Sequence, residues 1–253
     1  MSAAPTTQRQ RPPSPADDWA LFLDVDGCLL DFSDTPDGVV VPPGLPARLD
    51  ALAQRLDGAL ALVSGRTLAG LDRLFAPLHL PAAGLHGLER RHDGVQIASP
   101  AAPVALADIR EQASRFAERH PGAVIEDKGA AIALHWRMAP QAATELSTFA
   151  AQALDRLPGY RLQYGHQVVE LRPASADKGD AIAAFLDEAP FRGRLPVFAG
   201  DDLTDEHGFE VVNARGGVSV LVGAREPSVA RWQLDGVSAV REWLGLQHEE
   251  AKR

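Results

Sequence analysis

An apolar run that breaks directly into two closely spaced acids is the feature that most constrains the fold of this chain. Residues 20–23 are apolar, and Asp24, Val25, Asp26 and Gly27 follow at once. A short apolar run of this kind, bounded by a turn, is typical of a parallel strand buried on both faces. Open α/β sheets bind ligands beyond the carboxyl ends of such strands, which predicts a ligand site at the two acids.

The spacing of the two acids suits phosphate chemistry. One carboxylate can act as nucleophile and metal ligand, while a bend at Gly27 lets the other face a leaving group. Taken alone, Asp-x-Asp-Gly can equally be a polar turn, because Asp and Gly are common turn residues.

Composition limits the classes of protein to consider. At 253 residues, 45% of them hydrophobic, the chain can form one large domain or two smaller ones. A net charge of -9 argues against nucleic-acid or membrane partners, since both are bound through clustered Lys and Arg. Cys28 is the sole cysteine, so no disulfide forms within the chain, and no apolar stretch is long enough to span a bilayer. We therefore expect a cytoplasmic protein, with Cys28 a packed small residue.

Short apolar runs alternate with helix-like stretches along most of the chain. The runs at 58–63, 197–199 and 218–222 predict further buried strands of an α/β sheet. Between about residues 102 and 172 the pattern changes to αββαββ, with helices at 104–119 and 140–156 and strands at 123–127, 130–137, 161–164 and 167–171. The turns Lys128-Gly129 and Gly165-His166 favour tight antiparallel hairpins there.

These patterns predict two domains and two tails. The core domain is expected at 19–101 and 173–246, with a smaller domain inserted at 102–172. Residues 1–18 are rich in Pro, Ser, Thr, Gln and Arg and predict a disordered tail, and residues 247–253 form a C-terminal tail.

Two further sites could bind a phosphate. Ser64, Gly65 and Arg66 follow the run 58–63 and precede a helical pattern, where a hydroxyl and free N–H groups suit an anion. Ser64 can equally be a plain helix cap. Lys178 opens a predicted helix, where its charge opposes the helix dipole unless an anion compensates it. A solvated surface lysine is the alternative reading.

The fourth polar site is strongly acidic. Asp201, Asp202, Asp205 and Glu206 lie within six residues, directly after a predicted strand. Their mutual repulsion favours a bound cation, and Mg²⁺ is typically held by one or two carboxylates plus substrate oxygens. An acidic helix start is the alternative.

Together, the four sites resemble the four motifs of the haloacid dehalogenase superfamily of phosphotransferases. This resemblance implies an α/β fold, with a Rossmann-like parallel-sheet core and an inserted α+β cap domain (αββαββ). Finer features resemble the trehalose 6-phosphate phosphatases, and they lie at residues 84–89, 126–137, 169–173 and 196–202. The match covers residues 19 to about 246.

The resemblance implies a mechanism and a role for each residue. Asp24 attacks phosphorus and forms an aspartyl-phosphate, while Asp26 protonates the departing sugar oxygen and then activates water. Mg²⁺ is held by the Asp24 side chain, the Asp26 backbone carbonyl and Asp201. The other implied roles are phosphate binding by Ser64, the Gly65 N–H and Lys178, and outer positions at the metal site for Asp202 and Asp205.

Substrate choice is expected to come from the cap, because the core motifs meet only phosphate. The implied sugar ligands are Glu126, Lys128, Arg137 and Glu170, with Arg66 from the core. Exposed sheet charge is the alternative for the cap residues. His86 is expected to shape the core near the active-site mouth, and a structural histidine without substrate contact is the alternative. The expected partner is trehalose 6-phosphate, hydrolysed in trehalose biosynthesis. Sucrose 6-phosphate, glucosyl-3-phosphoglycerate, a mutase and a non-catalytic sugar-phosphate-binding module are the alternatives.

Overall fold

Two β-sheets, each with its own apolar core, organise the chain. The computed structural model describes residues 9–247 except Asp34, Pro36, Asp37 and His166. The strands are β1 (Trp19–Leu23), β2 (Leu60–Val63), β3 (Ala82–Gly84), β4 (Glu89–His92), β5 (Val95–Ile97), β6 (Val124–Asp127), β7 (Ile132–His135), β8 (Tyr160–Gly165), β9 (Val168–Pro173), β10 (Leu195–Gly200), β11 (Val218–Val222) and β12 (Trp232–Leu234). The α-helices are α1 (Leu45–Arg55), α2 (Leu68–Phe75), α3 (Val104–Glu118), α4 (Ala143–Leu154), α5 (Lys178–Leu186), α6 (Glu206–Ala214) and α7 (Val237–Trp243).

The larger sheet has eight strands in the order β12-β11-β10-β1-β2-β3-β4-β5. The strands from β12 to β3 pair in parallel, and β4 and β5 continue the sheet as an antiparallel hairpin. Every residue of β1, β2 and β11 is buried, including Ser219 of β11, because the sheet is covered on both faces. The parallel strands β1, β2 and β10 therefore end at one edge, which positions the polar residues that follow them.

The smaller sheet has four antiparallel strands in the order β6-β7-β9-β8. Helices α3 and α4 cover one face, where Ile109 and Leu146 are fully buried with Leu134 and Leu171 of the sheet. Side chains alternate along a strand, so the opposite face receives the polar residues of the same strands. The sequence order is αββαββ, as predicted, with a 3₁₀ turn at Pro140–Ala142 before α4.

The last strand of the smaller sheet leads directly into a helix of the larger domain. β9 ends at Pro173 and α5 begins at Lys178. Arg172, which is fully buried, donates from Nη2 to the carbonyl of Ala176 over 2.6 Å. This bond fixes the connection between the two sheets.

The N-terminal segment differs from its sequence-based prediction. Trp243 Nε1 donates to the Pro13 carbonyl over 2.7 Å, and the Gln233 N–H donates to the Gln10 carbonyl over 3.0 Å. The prediction of disorder is therefore wrong for residues 9–18, because the free edge of β12 offers backbone groups that composition does not reveal. Residues 1–8, and residues 248–253 of the predicted C-terminal tail, lie outside the described part of the chain, as does His166 of the predicted turn.

Within residues 9–247, apart from the four undescribed positions, no helix is both long enough and apolar enough to cross a bilayer.

We expect the Trp243 indole to stabilise the docked N-terminal segment. Trp243→Phe keeps an aromatic ring beside Trp19, whose ring centroid lies 5.5 Å away, but removes the donor to Pro13. The free energy of unfolding should fall by about 0.5–1.5 kcal/mol, the usual net value of one hydrogen bond. Urea denaturation measures the change, with Trp232→Phe at the sheet edge as control. Equal effects of the two variants would contradict a specific role for this bond.

Candidate active site

The polar residues that follow β1, β2 and β10 meet in one cavity between the two sheets. Its lining includes Asp24, Ser64 and Asp201 from these strand ends, with Lys178 from the start of α5. The smaller sheet closes the cavity from the other side with Glu126, Lys128, His135, Gln163 and Glu170. The structure therefore brings together all four sequence motifs and the predicted cap residues.

Lys178 is a buried cation between two carboxylates. Its Nζ lies 3.1 Å from Asp24 Oδ1 and 2.7 Å from Asp205 Oδ1, and 2% of the residue is exposed. Burial alone would lower the pKa of Lys178, but Asp205 and Asp24 raise it well above its ordinary value. The alternative of a solvated surface lysine is thus wrong, and these two acids are the anions that offset its unfavourable place at a helix start.

Local sequence fixes where this lysine stands. Asp177 is the N-cap of α5, and its side chain accepts from the Asp180 N–H while the Asp180 side chain accepts from the Asp177 N–H. This reciprocal pair satisfies backbone donors that a helix start leaves free. Lys178, in the first turn, is therefore held at a defined orientation.

Three carboxylates share a small volume at this site. Oxygens of Asp24, Asp201 and Asp205 all lie within 4.8 Å of one another. Burial raises the pKa of Asp24 to about 8, against the opposing effect of Lys178. Burial, followed by the charges of Asp24 and Asp205, raises the pKa of Asp201 well above its ordinary value. A bound cation would remove this repulsion.

The donor set fits Mg²⁺. Asp201 Oδ1 is buried without a hydrogen-bond partner among the described residues, as a carboxylate oxygen kept for a cation would be. Asp205 is used differently, because its Oδ2 accepts from the N–H groups of Asp201 and Asp202 and its Oδ1 accepts from Lys178. Asp202 Oδ1 accepts from the Thr204 N–H and hydroxyl.

Two glycines allow the acids to approach this closely. Gly27 has a φ of +81°, and a Cβ atom there would overlap the Asp201 carboxylate. A Cβ atom at Gly200 would overlap the Asp205 carboxylate. Gly27 is thus required by its positive φ and by a contact between two motifs, whereas Gly200 is required by a contact within the acidic motif.

Asp26 and Arg66 form a two-bond ion pair. Arg66 Nε donates to Asp26 Oδ2 over 2.6 Å, and Nη2 donates to Asp26 Oδ1 over 2.7 Å. Both side chains line the cavity and are partly buried. Arg66 thus contacts the second motif acid in the structure, and its role as a substrate ligand stays a prediction.

Ser64 is not the cap of the helix that follows it. The N-cap of α2 is Thr67, whose Oγ1 accepts from the Gly70 N–H over 3.0 Å. Ser64 instead lines the cavity, 1% exposed, and its Oγ accepts from the Arg66 N–H over 3.2 Å. The alternative reading of Ser64 as a plain helix cap is therefore wrong.

Charged residues join the smaller sheet to the core. Lys128 Nζ donates to the Gly65 carbonyl over 2.9 Å and to Glu170 Oε2 over 3.3 Å, and Glu126 Oε2 lies 4.0 Å away. His86 Nε2 lies 3.3 Å from Glu170 Oε2. The side chains of Lys128, His86 and Glu170 are each less than a tenth exposed. The alternative reading of exposed sheet charge is therefore wrong for Lys128 and Glu170.

Burial and charge set the protonation of this cluster. Burial would raise the pKa of Glu170, but Lys128 and His86 hold it well below its ordinary range. Burial lowers the pKa of His86. Burial also opposes the charge of Lys128, whose pKa is nevertheless raised by Glu170 and Glu126. Because a carboxylate only accepts hydrogen bonds, we assign the proton of neutral His86 to Nε2.

Arg137 lies at the cavity but binds the core. Its Nη1 donates to the Ser33 carbonyl, and its guanidinium carbon lies 5.2 Å from the centroid of the Phe32 ring. Arg137 therefore holds the smaller domain against the loop after β1, and its predicted contact with sugar stays a prediction.

Sequence reasoning missed several residues of the site. Gln163 lines the cavity and pairs in register with Glu170, so the alternation of the predicted strand at 161–164 would have placed it on the same face. His135 Nε2 lies 2.9 Å from Glu126 Oε2, a contact that its spacing in sequence does not indicate.

Cys28 is buried and donates from Sγ to the Ala199 carbonyl over 3.4 Å, in agreement with its reading as a packed small residue.

Comparison with known proteins gives consistent matches. Residues 22–238 match the family described as trehalose-phosphatase. A probable trehalose-phosphate phosphatase of Sinorhizobium fredii is 48% identical over 213 residues, covering 84% of this chain and 80% of that protein. The trehalose-6-phosphate phosphatase of Escherichia coli is 47% identical over 229 residues, covering 90% of this chain and 86% of that protein.

Solved structures show the same architecture. A protein described as related to trehalose-6-phosphate phosphatase matches with a TM-score of 0.70 and 25% identity, covering 89% of this chain and 95% of that one. A phosphatase of the haloalkanoate (HAD) superfamily from Bacteroides thetaiotaomicron matches with a TM-score of 0.58 and 18% identity, covering 97% and 99%. The second likeness concerns the fold alone, and the two together confirm the predicted fold class.

We expect His86 to make stability depend on pH. Its pKa in the folded protein is lowered from 6.5, so below about pH 6.5 the unfolded chain binds a proton that the folded chain resists. The contribution of His86 to the free energy of unfolding is therefore fully present above about pH 6.5, and it is lost as the pH drops toward the pKa of His86 in the folded protein. Glu170, with a depressed pKa, loses its contribution only at more acidic pH.

His86→Gln should therefore flatten the fall of the unfolding temperature between about pH 7.5 and about pH 5.5. The difference should be roughly 2–4 °C if about 1 kcal/mol is involved. Differential scanning calorimetry measures it, with His79→Gln, whose ring is exposed, as control. An unchanged pH dependence in His86→Gln would remove His86 as its source.

Proposed function

Because this chain belongs to the trehalose-phosphatase family, we propose that it hydrolyses trehalose 6-phosphate to trehalose and phosphate, with Mg²⁺ as cofactor and Asp24 as nucleophile. It is a phosphoric monoester hydrolase. The observation that carries the finer proposal is the single cavity in which Asp24, Asp201 and Lys178 face Glu126 and Glu170 of the cap domain. One side offers phosphate chemistry, and the other offers hydrogen-bonding groups suited to sugar hydroxyls.

The first half of the reaction transfers the phosphoryl group to the enzyme. An Asp24 carboxylate oxygen forms a bond to phosphorus while the bond from phosphorus to the sugar oxygen breaks. Asp26, two residues on, supplies the proton that the departing oxygen takes up. Burial raises the pKa of Asp24 to about 8 even though Lys178 opposes the rise, so more than one positive charge is needed to create the ionised, nucleophilic form.

Lys178 supplies one such charge from the protein, 3.1 Å from Asp24. Mg²⁺ at Asp24, Asp201 and the Asp26 carbonyl would supply the second, and would neutralise charge on the transferring phosphoryl group. Asp202 and Asp205 act from outside this set, because their oxygens bind Thr204, Lys178 and backbone N–H groups.

The phosphoryl oxygens meet a second group of donors at the end of β2. The Ser64 hydroxyl and the Gly65 N–H follow β2, in the loop before Thr67, the N-cap of α2, and both can donate to phosphoryl oxygens. Together with Lys178 they stabilise the charge that spreads over the equatorial oxygens in the transition state.

Asp26 has to exchange partners during turnover. In the structure Arg66 holds both of its oxygens. A carboxylate whose two oxygens both accept from Arg66 carries no proton to give, so in this scheme Asp26 leaves Arg66 and takes up a proton from water before it protonates the departing oxygen. In the second half of the reaction, Asp26 accepts a proton from water, water oxygen bonds to phosphorus, and the bond from phosphorus to Asp24 breaks.

Sugar recognition falls to the cap face. Glu126 and Glu170 stand on one register row of the sheet, with the small residue Ala133 between them. Ala133 leaves space between the carboxylates, which can accept hydrogen bonds from sugar hydroxyls, and Lys128 offers donors beside them. Arg66 and Arg137 line the same cavity and complete the proposed sugar contacts.

We expect Asp24→Asn to abolish phosphate release while the fold is kept. The measurement is Mg²⁺-dependent release from trehalose 6-phosphate, sucrose 6-phosphate, glucose 6-phosphate and glucosyl-3-phosphoglycerate. The wild type should prefer trehalose 6-phosphate, and Asp24→Asn should lose at least about a thousandfold in kcat. Asp50→Asn, on the exposed face of α1, is the matched control.

Each other outcome removes a separate part of the proposal. Preference for another sugar phosphate overturns the substrate and leaves the chemistry in place. Near-normal turnover by a folded Asp24→Asn variant overturns the nucleophile. Absence of release from every compound favours a non-catalytic sugar-phosphate-binding module.

We also expect the cap carboxylates to act on sugar rather than on phosphate. Glu126→Gln and Glu170→Gln should lower kcat/KM for trehalose 6-phosphate by roughly 10- to 100-fold, the value of one or two hydrogen bonds to a charged group. Turnover of a small aryl phosphate should change far less. Glu118→Gln, at the exposed end of α3, is the control. Equal losses on both substrates would mean that these carboxylates act structurally.

A further inference from the structure

A single arginine outside the motifs clamps the acidic loop of the active site. Arg225 follows β11, and its Nε donates to the Asp201 carbonyl over 3.3 Å while Nη2 donates to the Asp202 carbonyl over 3.1 Å. Nη2 also binds the Glu206 carboxylate, and Nη1 donates to the Pro227 carbonyl over 2.7 Å. One guanidinium thus joins the loop after β10, the start of α6 and its own loop.

The acidic loop is therefore held from two sides. Asp205 binds the N–H groups of Asp201 and Asp202, whereas Arg225 binds their carbonyls. The three peptide groups from 200–201 to 202–203 are thus held in orientation, which sets the direction in which the Asp201 side chain leaves the backbone. This side chain carries the buried Oδ1 that lacks a partner among the described residues.

A second arginine holds the loop that carries Arg225. Arg9 Nε donates to the Ala230 carbonyl and Nη2 to the Ser228 carbonyl, each over 2.8 Å, and Arg9 also forms an ion pair with Glu226. Glu206 Oε2 accepts from the Val229 N–H over 2.8 Å. The loop at 225–230 is thus tied to the N-terminal segment on one side and to α6 on the other.

We propose that Arg225 is a positioning residue that holds Asp201 in place for Mg²⁺, and that Arg9 supports it from the N-terminal segment. The inference rests on the Mg²⁺ part of the proposed function. Arg225 acts through backbone groups and contacts neither substrate nor metal in this scheme. Residues that orient metal ligands typically contribute about 10- to 100-fold to metal affinity.

Arg225 could affect Mg²⁺ binding through its charge or through its hold on Asp201, and these two roles predict opposite effects when Arg225 is removed. Arg225 is a cation close to a cation site, so its charge alone opposes Mg²⁺ binding. Removing it would tighten binding if electrostatic repulsion were its only effect. Removing a clamp on Asp201 would weaken binding, because the carboxylate must then be ordered when the metal binds.

The test measures Mg²⁺ binding by isothermal titration calorimetry without substrate. Arg225→Ala should raise the Kd for Mg²⁺ about 10- to 100-fold. Arg225→Lys keeps the charge but cannot reach the same set of acceptors, and it should remain close to Arg225→Ala. Arg9→Ala should raise the Kd in the same direction by less. Arg231→Ala is the matched control, since Arg231 is exposed on the next segment and contacts Asn213.

A second readout needs no metal. In metal-free protein, the N–H groups of Asp201 and Asp202 should exchange with deuterium faster in Arg225→Ala than in the wild type or in Arg231→Ala. Circular dichroism establishes that each variant is folded. If Arg225→Ala does not fold, Arg9→Ala and Glu226→Gln, changed at the partly exposed ion pair, carry the same two measurements.

Unchanged or tighter Mg²⁺ binding in folded Arg225→Ala, with unchanged amide exchange, overturns the inference. A wild type that binds no Mg²⁺ refutes both the inference and the metal part of the proposed function. A wild type that binds Mg²⁺ through an Arg225-dependent loop, yet hydrolyses another phosphate, keeps the inference and overturns the substrate alone.

Discussion

The buried ammonium of Lys178 is the charge on which the site depends. Asp24 and Asp205 could not both remain ionised in the core without a nearby cation, because burial and their mutual repulsion favour the neutral acids. Lys178 reaches both, and a capping box one residue earlier sets its position. The local sequence at the start of a helix therefore determines the electrostatics of Asp205 and of Asp24, which lies more than 150 positions earlier in the chain.

A buried ammonium also lies at the contact between the two domains. Lys128 of the cap domain donates to the Gly65 carbonyl, in the loop after β2, and to Glu170 on β9 of the cap domain. One ammonium thus touches a group proposed to bind phosphate and a group proposed to bind sugar. His86, from the core, reaches the same carboxylate. The cap is held by groups that also line the cavity, so ligand binding and domain contact compete for the same hydrogen bonds.

Local periodicity determines what the sequence could predict. The strands β1 and β11 and the αββαββ order follow from strong patterns, and the four motifs converge because parallel strands end at one edge. The hairpin β4–β5 was not predicted, since Glu89–His92 has no apolar alternation. The pairing of Arg66 with Asp26, and the reach of Arg225 to the acidic loop, could not be predicted, because long side chains from distant segments choose partners only after the backbone has folded.

The short connection from β9 to α5 has a mechanical consequence. Glu170 stands on β9, Lys178 begins α5, and the Arg172 bond to the Ala176 carbonyl stiffens the few residues between them. The strand and the helix start are therefore joined by a short, hydrogen-bonded connection, with the proposed sugar contact Glu170 before it and Lys178 after it. Under the proposed function, a sugar bound at Glu170 and a phosphate bound at Lys178 would thus meet two groups whose separation is set by one short stretch of backbone.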